Sequence, residues 1–245
     1  MISYVLAAIT DSTHDIKKPE NIALLAISAV LIGGFIAWLH HICISVFIVW
    51  GACNATEQLS SFYLQYAQRL SAIDISVRFL PAPIGGVLAN IVTGLVVHRV
   101  RADLSILIAV ALACLSPLLM AIADPAWSYW ICVFWAMFMN AIGADTLFTI
   151  SNLLITSLFP ARKQAVAGGV YNTIAQIGKS VGLASSGAVA SAVSARSSLA
   201  EKESPIALLE GYRAAFWYCF TLHGVTLFVT VWGLRKIDKV GLKKE

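Results

Sequence analysis

Runs of about twenty residues without a charged side chain recur along this chain, and they constrain its fold more than any motif does. No Asp, Glu, Lys or Arg occurs at 21–56, 79–98, 104–123, 125–144 or 214–234, and only Arg162, Lys163 and Lys179 interrupt 146–195. A helix rising 1.5 Å per residue needs about 20 apolar residues to cross a roughly 30 Å hydrocarbon core. The pattern therefore predicts seven spans, at about 21–39, 42–64, 79–97, 104–123, 128–158, 165–193 and 214–234. The fifth and sixth are long enough to extend past the hydrocarbon or to contain a break. Composition excludes a soluble alternative: 59% of the residues are hydrophobic and only 12% charged, too few charges to cover a soluble surface. The fold class that follows is an all-α membrane protein, a multi-span helical bundle.

The remaining totals exclude several function classes. Net charge is +4, but the basic residues sit in short clusters, so nothing points to a nucleic-acid partner. Cys43, Cys53, Cys114, Cys132 and Cys219 all lie in apolar stretches without C-x-x-C spacing. They read as small hydrophobes in helix packing, with no metal site. No G-x-S-x-G, H-E-x-x-H or Walker pattern occurs. His40, His41, His98 and His223 are scattered or near span ends, so an intramembrane enzyme is disfavoured and no cofactor is expected.

Orientation follows from Lys and Arg counted loop by loop. One set of loops holds Arg99, Arg101, Arg162, Lys163, Arg235, Lys236, Lys239, Lys243 and Lys244. The opposite set holds Lys17, Lys18, Arg69, Arg78, Arg196, Lys202 and Arg213, diluted by Asp11, Asp15, Glu20, Glu201, Glu203 and Glu210. The turns HRVRAD and PARKQ and the basic tail are thus expected in the cytoplasm. Trp127, Trp130 and Trp217 then fall near the outer boundary and Trp232 near the inner one.

Two places break the pattern. Met1–Ile9 is apolar but too short to cross, lacks a basic n-region and cleavage site, and reads as the tail of a span. Residues 21–64 need two spans, yet only His40 and His41 separate them, with no Gly, Pro, Asn or Asp to turn the chain. A connecting segment is expected to be missing at His41–Ile42.

Three ionisable residues fall inside spans: Glu57, Asp145 and Lys179. Each costs roughly 2.5–3.5 kcal/mol at a helix centre, so each is expected to face a partner or a watery cavity. Asp145 and Lys179 sit near the middles of successive spans and are candidates either for a buried ion pair or for a proton or substrate path. Glu57 has Gln58 beside it and Asn54 one turn earlier. Desolvation disfavours the charged form of a carboxyl, which suits reversible protonation. Its alternative is simple solvation near the outer headgroups. The amides Asn90, Asn140, Asn152, Asn172 and Gln176 default to interhelical hydrogen bonds, with cavity lining as the alternative. Asn54-Ala55-Thr56 fits a glycosylation sequon but lies inside a span. Gly178-x-x-x-Gly182 opens a stretch of small residues that admits close helix packing. Pro81, Pro83, Gly85 and Gly86 are expected to kink or loosen the third span.

Three stretches carry a resemblance: RFLPAPIGGVLANIVTGLVVHRVRADL, SPLLMAIADPAWSYW and GADTLFTISNLLITSLFPARKQAVAGGVYNTIAQIGKSVGLA. Together they resemble the C-terminal half of fungal major-facilitator transporters. Within that superfamily the chain is similar to the fourteen-span drug:proton antiporter group, which includes aminotriazole-resistance and low-affinity ammonium transporter relatives. The resemblance implies a remnant and one extra helix over 1–41, a six-helix C-terminal transporter half over 42–234, and a basic cytoplasmic tail over 235–245. It implies substrate held between two six-helix halves, with access alternating as they rock. The first and fourth helices of this half would line the cavity, bringing Asn54, Glu57 and Gln58 together with Asn140 and Asp145. The function implied is proton-coupled transport of a small molecule, of the drug or toxin efflux kind. The partners are the lipid bilayer, substrate, protons, and either an absent N-terminal half or another half-transporter. The membrane implied is the plasma membrane, with the C-terminus cytoplasmic. The departures are the absent N-terminal half, with its antiporter glycine motif, and the absent loop after His41. They keep a second reading open, that of a truncated, non-transporting fragment or partner half-bundle.

Overall fold

The structure is a computed structural model that describes residues 44–96, 99–100, 102–197 and 204–233. The expected span at 21–39, the 1–9 remnant, the His41–Ile42 junction and the basic tail lie outside the described residues. Within them the chain is helical, with no strand. Helix α1 covers residues 44–62 and runs into a π-helical turn at Tyr63–Ala67. Then come α2 (Ala72–Phe79), α3 (Pro81–Val96), α4 (Ala102–Ile122), α5 (Val133–Leu158), α6 (Gln164–Arg196) and α7 (Pro205–Gly233).

Among the described residues, four stretches are long and apolar enough to cross a membrane: Ala72–Val96, Leu104–Ile122, Val133–Leu154 and Pro205–Val231. The stretch expected at 79–97 begins earlier, because α2 and α3 follow one another with a break only at Leu80. The Leu80 amide turns back to the Val77 carbonyl at 3.2 Å, and Pro81 then opens α3, where a missing N–H costs nothing. The start of α2 is fixed by Ser71, whose Oγ accepts from the Asp74 amide at 3.3 Å and donates to its carboxylate at 2.6 Å.

The last helix departs further from expectation, starting at Pro205 rather than near 214. Ser204 caps it by accepting from the Ala207 amide at 3.3 Å. Arg213, read from sequence as a loop charge, is therefore helical. It donates to the Ala123 carbonyl at 3.0 Å, where a cation satisfies an orphan acceptor at the end of α4. Helix α6 is continuous over 33 residues, about 50 Å at 1.5 Å per residue. Its middle carries Asn172, Thr173, Gln176, Lys179 and Ser180, so its length rather than its apolarity suits a span.

The core gathers α1, α4, α5 and α7. Leu59 and Tyr63 pack with Met120, Met137 and Phe216, and Phe216 is wholly buried. Helix α6 joins through small residues. A Cβ on Gly182 would collide with the backbone of Gly51 in α1, and one on Gly178 with the Phe47 carbonyl oxygen. The Gly178–Gly182 surface is thus the seat on which α1 lies, backbone against backbone.

Candidate functional site

A cavity of about 330 Å³ opens between α1 and α5 and is bounded at one end by Ala82 and Pro83 at the start of α3. Helix α1 faces it with Trp50, Cys53, Asn54 and Glu57, and α5 with Met137, Asn140, Ala141 and Ala144, and with Asp145 beside them. Both sets follow the i, i+3, i+4, i+7 spacing of a single helix face. Four of the residues singled out from sequence, Asn54, Glu57, Asn140 and Asp145, therefore share one cavity. Gln58 does not line it and is exposed.

The polar groups are held in different ways. Asn54 donates to its own helix, at the Trp50 carbonyl, at 2.8 Å. Asn140 reaches across to the Cys53 carbonyl at 3.2 Å, while its buried Oδ1 has no protein donor among the described residues. That acceptor is left for water or ligand. The Asp145 carboxylate lies over Gly86 of α3, so close that a Cβ there would clash with its Oδ2. The glycine expected to loosen α3 instead makes room for the acid.

Lys179 is half-buried on α6. It does not line the acid cavity.

Beyond Asp145 a polar seam runs along the interface of α3 and α5. Thr149 donates to the Asn90 side chain at 2.8 Å, Asn90 donates to the Gly86 carbonyl at 2.9 Å, and Thr93 meets Thr146 at 3.4 Å. Each pairing satisfies a group that would otherwise sit bare in hydrocarbon.

Cys53 also faces the bundle core, where the sequence reading missed a contact. His223 is near the middle of α7 rather than at a span end, and it is wholly buried. Its Nδ1 lies 2.8 Å from the Cys219 carbonyl, which can only accept, so Nδ1 carries the proton. In the neutral ring Nε2 is then the acceptor, and it receives the Cys53 thiol at 3.4 Å. The available signal was a histidine in a charge-free span with Cys219 one turn before it. Replacing His223 by alanine empties a packed site and strips the thiol of its acceptor, at an expected cost of about 2–4 kcal/mol. Denaturant titration in mixed micelles measures this, and an unchanged midpoint contradicts the assignment.

Among the described residues no group of three or more His, Cys, Asp or Glu side chains is arranged to hold a metal ion.

Known proteins resemble this sequence. The family model described as Major Facilitator Superfamily matches residues 1–183. The chain belongs to the Major Facilitator Superfamily. It is 32% identical over 281 residues to MFS-type transporter 1 of Pyricularia oryzae, covering 98% of this chain and 46% of that protein. It is 28% identical to efflux pump terJ of Aspergillus terreus over 64% of this chain and 28% of the pump. It is 25% identical to the low affinity ammonium transporter of Saccharomyces cerevisiae over 63% of this chain and 28% of that protein. The chain thus spans less than half the length of these superfamily relatives. The alignment to the Pyricularia protein is longer than the 245 residues here, so that transporter carries inserted residues without counterparts in this chain. As a superfamily member with long apolar helices, it is an integral membrane protein.

Proposed function

We propose that this chain forms the C-terminal half of a proton-coupled transporter of the fourteen-span drug:proton antiporter group, exporting a small molecule across the plasma membrane with its C-terminus in the cytoplasm. One observation carries the reading: a cavity in an otherwise apolar bundle whose walls present two carboxyl groups, Glu57 and Asp145, and two amides, Asn54 and Asn140. Carboxyls at membrane depth are costly, and they are retained where charge or protons must move. The efflux pump of Aspergillus terreus among the relatives supports the direction.

The opposite wall of the substrate site comes from a second six-helix half. Glu57 and Gln58 are exposed, and α6 presents an exposed stripe of Asn172, Thr173, Gln176 and Ser180. Such a polar surface is poorly matched to lipid and well matched to a partner bundle. Without that partner, the chain does not transport.

The test uses the assembled transporter in proteoliposomes with an imposed pH gradient. Accumulation of a cationic dye should follow the gradient and vanish when a protonophore collapses it. Accumulation indifferent to the gradient removes proton coupling from the account.

A further inference from the structure

The turn between α3 and α4 is only a few residues long, yet the two helices scarcely touch, and each packs instead on α5. They splay into a wedge of about 420 Å³ with α5 as its floor. Leu88 and Val92 form one wall, Ile108 and Leu112 the other, and Ile142 and Ile150 the floor. The wedge shares no lining residue with the acid cavity, and the Thr93–Thr146 contact lies between α3 and α5 on its inner side.

What fills this space is fixed by its surroundings. Leu88, Val92 and Ile108 are exposed at its rim, on two helices apolar enough to cross the bilayer, so it opens sideways into hydrocarbon. A water needs two to four polar partners; the polar side chains lining the wedge are Thr93, Ser105 and Thr146, and the two threonine hydroxyls already meet one another. An empty wedge forfeits dispersion contacts along its whole lining. At its loop end the lining passes through Val96 and Val100, with Arg99 exposed between them and its amide bonded to the Val96 carbonyl at 2.8 Å.

We infer that the α3–α4 wedge is a binding site for a phospholipid with an anionic headgroup, one acyl chain lying against Val92 and Ile108 and the headgroup held by Arg99. A sterol fills the same groove but brings no charge to Arg99. A zwitterionic lipid brings a weaker one. A basic side chain beside an intramembrane groove is a common way to hold an anionic headgroup.

Native mass spectrometry of the full chain tests this, after transfer into nanodiscs of palmitoyl-oleoyl phosphatidylcholine with a minor fraction of the phosphatidylserine analogue. One phosphatidylserine should remain bound in preference to phosphatidylcholine. Arg99→Gln should lower that preference about fivefold, the weight of one basic residue near a charged surface, while Arg99→Lys keeps it. Val92→Trp, at a position 55% exposed and so tolerant of bulk, should fill the groove and reduce retention of both lipids. Equal retention of the two headgroups, or an Arg99→Gln variant that keeps the full preference, overturns the headgroup assignment. Retention unchanged by Val92→Trp, or displacement by added sterol alone, overturns the site.

Discussion

Replacing Gly182 by alanine is expected to destabilise the bundle, whereas the same change at Gly187, five residues along the same helix, is expected to stabilise it. A Cβ at Gly182 falls on the carbonyl carbon and oxygen of Gly51, closer than real Cβ contacts approach. Backbone atoms do not swing aside as a flexible side chain does, so α1 has to move off α6. That movement reaches the cavity, because α1 carries Asn54 and Glu57 three and six residues beyond Gly51. Overpacking of a tight interface costs about 1–3 kcal/mol. Gly182→Leu pushes the helices further apart and belongs among the largest single-site losses, about 4 kcal/mol or more. At Gly187 a Cβ meets nothing within 4 Å, so the alanine gains up to about 1 kcal/mol of helix propensity. Unfolding in mixed micelles reads both variants, and shifts of the same sign contradict the packing assignment.

Asp145→Asn should abolish accumulation driven by a pH gradient while leaving the bundle folded. The two side chains have nearly the same shape, and the space over Gly86 that receives the carboxylate receives the amide equally well. The amide cannot take up or release a proton, so a gradient can no longer bias the cavity through this position. One proton moving down one pH unit supplies about 1.4 kcal/mol, enough for a tenfold accumulation of substrate if one is exchanged for one. The variant should fall from that ratio to no accumulation. Glu57→Gln is expected to act in the same direction.

Much of this architecture was legible because hydrocarbon enforces a simple rule on sequence. Charge-free runs of helical length mark helices, and α4 and α7 cover 104–122 and 214–233 of two such runs. The ends were less legible. Glu210 and Arg213 look like loop residues, yet Arg213 extends α7 by finding a free carbonyl at Ala123, a partner known only once α4 and α7 are side by side. The break at Leu80 followed from Pro81, but the helix before it did not, because α2 depends on the Ser71 cap and is too polar to register as part of a span.

The candidate site divides in the same way. Asn54 and Glu57 are three apart, so helical geometry alone brings them to a common side, whereas Asn140 and Asp145, five apart, lie about 140° from each other around an ideal helix. That the two pairs face each other depends on how α1 and α5 pack, and there the family resemblance supplied what spacing does not. Gln58 shows the limit of proximity in sequence: one residue from Glu57, it points about 100° away around the helix. The Cys53–His223 contact joins residues 170 apart along the chain and was hidden by a cysteine and a histidine that each looked unremarkable in isolation.

The most direct test compares two modes of transport in one preparation of the assembled transporter. Substrate exchange at equal pH requires the cavity but no net proton movement, whereas uphill accumulation requires both. Asp145→Asn should retain exchange at close to the wild-type rate and lose accumulation under a pH gradient. Accumulation that survives the substitution contradicts the assignment of proton coupling to this cavity.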